Sequence, residues 1–175
     1  MVHTAARDLV IKDHGIEIWE NLLVNQGFNE AEFISGNVYK DERTIELVVA
    51  LSKELNIEMS EMLKKFGYHW VDYSAKTSFG SVYKLYGEDV FTFLENLDRM
   101  HDAIEAAIPE ARTPFFECVG RSDKHMDIIY SSHREGLTDF VEGLLNGVLN
   151  YFETPGSAKY IKKVETGELF TIFID

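Results

Sequence analysis

The hydrophobic pattern of this 175-residue chain changes its period once, close to Pro109, and that change constrains the fold more than any other feature. Before Pro109, apolar residues recur every three or four positions, which is typical of amphipathic helices. After it, FFECVG at 115–120 and MDIIYSS at 126–132 have the composition of strands, and KYIKKVETGELFTIFID at the end has the pattern of a hairpin. We therefore predict an α+β fold, with helices first and a small antiparallel sheet after them.

The helices are predicted from apolar spacing and from breaker residues. Two short amphipathic helices separated by Gly15 open the chain. The stretch TSFGSVYKLYGED at 77–89 is rich in turn residues and is expected to separate two helices. Further helices are predicted at 41–56, from Ser60 onward, at about 89–108 (the longest) and at 136–152, where one is inserted into the sheet part. Residues 1–175 are expected to form a single domain.

Charge and cysteine content exclude several classes of function. Asp and Glu number 30 against 17 Lys and Arg, which gives a net charge of −13. Such a field repels nucleic acid and anionic membrane surfaces, so neither is an expected partner. The single cysteine, Cys118, cannot form an internal disulfide or a multi-thiolate metal site. With no secretion signal and no apolar run of about 20 residues, the expected location is the cytoplasm.

One histidine interrupts an otherwise aliphatic helix face. At spacings of 3, 4, 3 and 4, this face carries Leu94, Leu97, His101, Ile104 and Ile108. A buried imidazole needs a partner, since an unsatisfied ring nitrogen costs about 1–3 kcal/mol. Taken alone, the pattern is more typical of a core histidine bonded to a carbonyl than of a metal ligand. No second ligand lies at zinc spacing, whereas a heme needs only one protein ligand because the porphyrin supplies four nitrogens.

The segment Tyr130-Ser131-Ser132-His133-Arg134 is the second candidate site. If the preceding strand continues through it, Tyr130, Ser132 and Arg134 project on one side and form an anion receptor. Heme carries two propionate carboxylates that would fit such a receptor. In isolation, a Y-x-S-x-R pattern is more often an ordinary solvent-facing sheet edge, and it gains weight from following His101.

These residues resemble the H-NOX family of heme nitric oxide/oxygen binding domains. The segments that carry the resemblance are FLENLDRMHDAIEAAIPEARTPFFECV, IIYSSHREGLTDFVEGLL, DLVIKDHGIEIWENL and LVVALSKELNIEMSEMLKKFGYHW. They cover essentially the whole chain and are most similar to the sensor domain of the soluble guanylate cyclase β subunit and to stand-alone bacterial proteins of the cyanobacterial type. The resemblance implies a helical distal part at about 1–60 and a proximal α/β part at about 61–175.

The resemblance also assigns residues to a b-type heme site. It implies that His101 is the proximal iron ligand and that Tyr130, Ser132 and Arg134 bind the propionates. Proximal packing against the porphyrin is expected from Pro114, Leu97 and Met100. The distal gas pocket is expected to include Val2, Phe66, Trp70, Phe140 and Leu144.

The implied function is a gas sensor and not an enzyme. Family members that bind O₂ resemble one another in having a tyrosine where this chain has Phe140, so we predict binding of NO and CO with discrimination against O₂. Only the indole N–H of Trp70 could act as a donor against this prediction. NO is expected to weaken the iron–His101 bond, and the resulting conformational change is expected to reach a separate partner, such as a histidine kinase or a cyclic-di-GMP enzyme.

Two other classes of protein remain open. A heme-free binding module could hold an apolar carboxylate in the same cavity, with Tyr130, Ser132 and Arg134 on the acid group. A heme enzyme such as a peroxidase would need a distal acid–base group. The sequence does not favour it, because four of the histidines outside the apolar stripe are expected at the surface: His14, His69, His125 and His133.

Overall fold

The computed structural model describes residues 2–33, 41–108 and 111–175. The α-helices of these ranges are α1 (Val2–His14), α2 (Ile16–Gln26), α3 (Asp41–Leu55), α4 (Met59–Ala75), α5 (Phe79–Tyr86), α6 (Val90–Glu95), α7 (Leu97–Ala107) and α8 (Thr138–Tyr151). The strands are β1 (Phe115–Arg121), β2 (His125–Ser131), β3 (Gly156–Val164) and β4 (Gly167–Ile174), and Glu30–Phe33 forms one 3₁₀ turn. Among the described residues, none of the helices combines the length and the apolar character that crossing a bilayer would require.

The first helices pack around a core of their own. Gly15 separates α1 from α2 as predicted, and its φ of 89° is one that residues with a side chain rarely adopt. Trp19 on α2 and Leu47 on α3 are almost completely buried in this core. The first half of α4 adds Met62 and Phe66 to the same cluster. We call it the N-terminal core.

The sheet is antiparallel, with strand order β1-β2-β4-β3. Side chains from one of its faces, among them Ile128 of β2 and Phe170 of β4, are completely buried. They join α5, α6 and α8 and the Val71 end of α4 in a second cluster, the C-terminal core. Helix α4 therefore belongs to both cores. The division of the chain near residue 60 stays a prediction.

Helices α4 and α8 cross at very close range because glycine lies at the contact points. A Cβ atom added to Gly67 of α4 would overlap the carbonyl oxygen of Phe140, and one added to Gly143 of α8 would overlap that of Lys64. Only glycine lets two helix backbones approach this closely. This crossing brings the side chains of α4 and α8 together on one side of the C-terminal core.

Both edge strands of the sheet are capped by helix side chains. At β3, Asn146 of α8 donates to the carbonyl of Ala158 (2.9 Å) and accepts from its N–H (3.1 Å). Glu142, also on α8, accepts from the N–H of Tyr160 at 2.8 Å. At β1, the N–H of Phe116 donates to the carboxylate of Asp98 on α7 at 2.8 Å. Backbone groups at both edges thus have side-chain partners.

Two helix predictions need correction. The helix expected at about 89–108 is two helices, α6 and α7, because the side-chain amide of Asn96 donates to the carbonyls of Tyr86 (3.1 Å) and Thr92 (2.8 Å) and competes with the helix backbone. The longest described helix is instead α4, with 17 residues. The turn-rich stretch 77–89 contains α5, whose Tyr83 packs against Phe93 at a ring distance of 5.3 Å.

Candidate functional site

A cavity of about 460 Å³ lies between the α4–α8 pair and helix α7. Its volume is within the range of small-molecule and cofactor sites, roughly 300–1,000 Å³. On one side, α4 and α8 contribute apolar side chains. On the other lie α6, α7 and residues 111–116. The side chains that line it include Trp70, Phe140, Leu144, Leu145 and Val148 on the first side and Leu97, Met100, His101, Ile104 and Pro114 on the second.

His101 lies in this wall with one ring nitrogen bonded and the other available. Its Nδ1 is 3.0 Å from the carbonyl oxygen of Pro114. Because a carbonyl only accepts, Nδ1 carries the proton and Nε2 keeps its lone pair. Within the described residues, Nε2 has no hydrogen-bond partner. Burial lowers the pKa of His101, against weaker opposing effects of the Pro114 carbonyl and of Glu105, so the ring is neutral near pH 7 and fit to bind a metal.

The apolar stripe around His101 is confirmed over most of its length. Leu94, Leu97 and Ile104 line the cavity with it, although Leu94 is on α6 and not on the same helix. The prediction is wrong for Ile108, which follows the end of α7 and is 46% exposed. Met100 is buried and lines the cavity.

Helix α7 is tied to the segment that carries Pro114 by two further contacts. The carboxylate of Glu105 accepts from the backbone N–H of Thr113 at 2.7 Å and from its hydroxyl at 2.6 Å. These bonds lower the pKa of Glu105. The bond from Phe116 to Asp98 completes a row along one face of α7. His101 therefore lies between two residues of α7, Asp98 and Glu105, that are hydrogen-bonded to residues 113–116.

The three residues of the predicted anion receptor are arranged only partly as predicted. Strand β2 ends at Ser131, so Ser132 and Arg134 are not presented by strand alternation. A turn groups them instead, in which the backbone N–H of Arg134 donates to Ser132 Oγ at 3.1 Å. Arg134 lines the cavity and donates to the carbonyl of Arg112 at 3.0 Å. Tyr130 is buried beside Phe116, and burial raises its pKa although the Ser132 hydroxyl acts in the opposite direction.

Most residues predicted for the distal pocket line the same cavity. They are Val2, Trp70, Phe140 and Leu144. Phe66 does not line it; it is buried in the N-terminal core behind Phe140, at a ring distance of 5.6 Å. The Nε1 of Trp70 has no hydrogen-bond partner among the described residues.

Sequence reasoning missed two buried hydroxyls in the wall. Ser74 of α4 and Tyr83 of α5 line the cavity, and their hydroxyl oxygens are 2.7 Å apart. Their pairing depends on how α5 packs, which no local pattern reveals. The surface prediction was also wrong for His69, which is buried on α4 with its Nε2 2.9 Å from Asp8 of α1.

The residues present fit a heme better than a metal ion held by protein alone. Within the described chain, no three His, Cys, Asp or Glu side chains are grouped to hold a metal. A porphyrin needs one axial nitrogen, an apolar cavity for its faces and a cation for its propionates. His101 Nε2, the aliphatic and aromatic lining and Arg134 satisfy these needs.

The structure is an α+β domain whose described cavity lining contains one imidazole, that of His101. A family model described as Haem-NO-binding (HNOB) matches residues 1–159. The chain belongs to this family of heme-based gas sensors, which confirms the resemblance and the α+β fold.

The chain is also similar in sequence to individual soluble guanylate cyclase proteins. The chain is 29% identical over 150 residues to soluble guanylate cyclase gcy-34 of Caenorhabditis elegans, covering 84% of this chain and 22% of that protein. Guanylate cyclase soluble subunit beta-2 of Rattus norvegicus is 28% identical over 97 residues, which is 55% of this chain and 14% of the relative. The chain thus spans about a fifth or less of these curated relatives.

Solved structures show the same fold. An H-NOX protein from Shewanella woodyi in the Fe(II)CO ligation state matches with a TM-score of 0.80 and 26% identity, over 99% of this chain and 92% of that one. An H-NOX protein from S. oneidensis in the Fe(II)NO ligation state matches with a TM-score of 0.81 and 18% identity, over 99% and 97%.

Proposed function

We propose that this chain binds a b-type heme through His101 and acts as a sensor of NO, with CO as a second ligand and with discrimination against O₂. The observation that carries the proposal is the state of His101: Nδ1 is fixed by the Pro114 carbonyl, and Nε2, in an apolar cavity, has no partner among the described residues. A neutral, oriented imidazole in such a cavity is what an iron ligand requires.

The remaining contacts of the heme would come from both walls. Leu97, Met100 and Pro114 would pack on the proximal side. Arg134 would hold the propionates with Ser132 and Tyr130 beside it, a role that needs the turn after β2 and not the strand itself. Val2, Trp70, Phe140 and Leu144 would surround the gas, with Phe66 supporting Phe140 from behind.

Signalling would start at the imidazole. His101 would hold the heme iron, and the heme would supply the position for the gas. If the gas loosened the hold of the iron on His101, the imidazole would stay with the Pro114 carbonyl. Helix α7 and residues 111–116 would then be free to adopt a new position against the α4–α8 wall. NO acts as a signal to the extent that it favours one of these two arrangements. A separate partner protein, such as a histidine kinase or a cyclic-di-GMP enzyme, would detect the change.

Discrimination against O₂ would rest on Phe140. Bound O₂ is stabilised by a hydrogen-bond donor, and a phenyl ring has none. We expect the ferrous protein in air to form no long-lived oxy complex and Phe140→Tyr to gain one, whereas Phe173→Tyr, on the exposed sheet face, should not. In the Phe140→Tyr background, Trp70→Phe should leave the oxy complex unchanged; a loss would make Trp70 a donor. A stable oxy spectrum in the parent chain would refute the discrimination.

The absorption spectrum of the ferrous protein, with and without NO, tests the whole proposal. We expect a Soret band that shifts with NO, and we expect it to be lost or to require added imidazole in His101→Gly. His125→Gly is the matched control, because His125 is outside the cavity and only half-buried. A colourless protein that does not take up hemin would sink the proposal.

The competing function is a heme-free module for an apolar carboxylate. Arg134 at the wall of an apolar cavity is the observation that favours it. In that case a long-chain fatty acid would bind with micromolar affinity to colourless protein, and Arg134→Ala would weaken it more than His101→Ala. Absence of fatty-acid binding would rule this module out.

A further inference from the structure

Two hydroxyl groups in the cavity wall are hydrogen-bonded to each other. Ser74 is on the last turn of α4, one turn beyond Trp70, and Tyr83 is on α5. Both residues line the cavity, and both are almost completely buried. Their oxygens are 2.7 Å apart. A phenol in this position is a potential donor to whatever the cavity holds.

The neighbours of Ser74 decide which oxygen donates. Ser74 Oγ is 2.6 Å from the carbonyl oxygen of Trp70 and 3.2 Å from that of Val71. Carbonyl oxygens only accept, so the single proton of Ser74 is given to the backbone. Ser74 Oγ is then an acceptor toward Tyr83, and Tyr83 donates its own proton to Ser74. Both hydroxyl protons therefore take part in hydrogen bonds within the cavity wall.

The Tyr83 proton stays in place across the physiological range. Burial raises the pKa of Tyr83, and the opposing effect of the Ser74 hydroxyl is smaller. The phenol is therefore neutral, and removal of its acceptor would leave a buried O–H without a partner, which is unfavourable. Such a group turns to the nearest available acceptor.

We propose that Ser74 is a specificity-determining residue: by accepting the Tyr83 proton it withholds a hydroxyl donor from the gas, and so it disfavours ligands such as O₂ that need one. The inference rests on the proposed heme function and adds a second determinant to Phe140. Phe140 has no hydrogen-bond donor to offer. Tyr83 has one, and its hydrogen bond to Ser74 keeps that donor from the gas.

The test is the rate of O₂ release from the ferrous protein. Ser74→Ala should slow it by about tenfold or more, or create an oxy complex where the parent has none, because the freed Tyr83 hydroxyl can donate to bound O₂. Ser74→Ala/Tyr83→Phe should lose this gain. Ser81→Ala is the matched control, since Ser81 is exposed on α5 and also donates to a backbone carbonyl. Equal O₂ release in the single and the double variant would overturn the inference.

A second measurement needs no heme. In protein labelled with 3-fluorotyrosine, the ¹⁹F resonance lost in Tyr83→Phe identifies Tyr83, and Ser74→Ala should shift it whereas Ser81→Ala should not. An unchanged resonance would show that the hydrogen bond is absent and would overturn the inference. If the resonance shifts but the protein never binds heme, the hydroxyl pair stands and the proposed function is what fails.

Discussion

The two walls of the cavity are built by different physical means. The wall of α7 and residues 111–116 is held by directional polar contacts at Asp98, His101 and Glu105. The wall of α4 and α8 is held by close packing at Gly67 and Gly143. A polar contact can be broken and remade singly, whereas interlocked helices resist any local change. The wall that would carry the iron ligand is therefore the one better suited to move.

The largest effect is expected at the packed wall. Gly143→Ala places a methyl group into the Lys64 carbonyl and should destabilise the protein by about 3 kcal/mol or more, since neither backbone can retreat. Gly120→Ala is the control, because its added Cβ would be 3.6 Å from the nearest atom. Urea unfolding of both variants measures the difference. Equal midpoints would mean that the helices are not interlocked.

A smaller loss is expected at the polar wall. Asp98→Ala removes the acceptor for the Phe116 N–H and should cost about 2 kcal/mol, the effect of one partly buried donor left without a partner. Asp98→Asn keeps an oxygen at that position and should recover most of the loss. If Asp98→Asn is as unstable as Asp98→Ala, the negative charge matters more than the hydrogen bond. Urea unfolding of the heme-free protein is the measurement.

Acid should weaken both walls through their buried histidines. Burial lowers the pKa of His101 and of His69, on which Asp8 acts in the opposite direction. The unfolded chain, with histidine pKa values near 6.5, then binds protons more readily than the folded one. Stability should be full above about pH 6.5 and fall below it, by at most about 1.4 kcal/mol per pH unit for each group.

Thermal unfolding of the heme-free protein from pH 7.5 to 5.5 measures this dependence. His69→Leu and His101→Leu should each flatten it. An unchanged slope in either variant would show that its histidine does not titrate with folding.

The smallest effect is expected from surface charge. Asp72 of α4 pairs with Lys76 at 2.7 Å and with Lys12 of α1 at 3.3 Å, and these lysines lower its pKa. Because solvent screens such pairs, Asp72→Asn should cost no more than about 0.5 kcal/mol, or about 2 °C in Tm. A larger loss would mean that these ion pairs contribute substantially to holding α1 against α4.

The sequence predicted the parts of the fold that depend on local pattern. The change of period near Pro109 indicated the sheet, and the stripe around His101 indicated the cavity wall. The break at Asn96 was not predictable, since its amide bonds the Tyr86 carbonyl ten residues away. Nor was the burial of His69, which α1 covers from a distant part of the chain.

The candidate site shows the same limit. Residue types and spacing indicated His101, Leu97 and Ile104, whereas Met100 was expected only from the family resemblance. Ser74 and Tyr83 carry no such signal, because a serine near a helix end and a tyrosine in a turn-rich stretch are ordinary. Their importance arises only when α5 brings the two oxygens together.

The side chains that cap the sheet also limit how the protein can associate. An incoming strand at β1 would have to displace Asp98, and one at β3 would have to displace Asn146 and Glu142. Sheet extension into fibres or by a borrowed partner strand is thereby opposed at both edges. This protection needs no additional residues, because the same three side chains already hold α7 and α8 against the sheet.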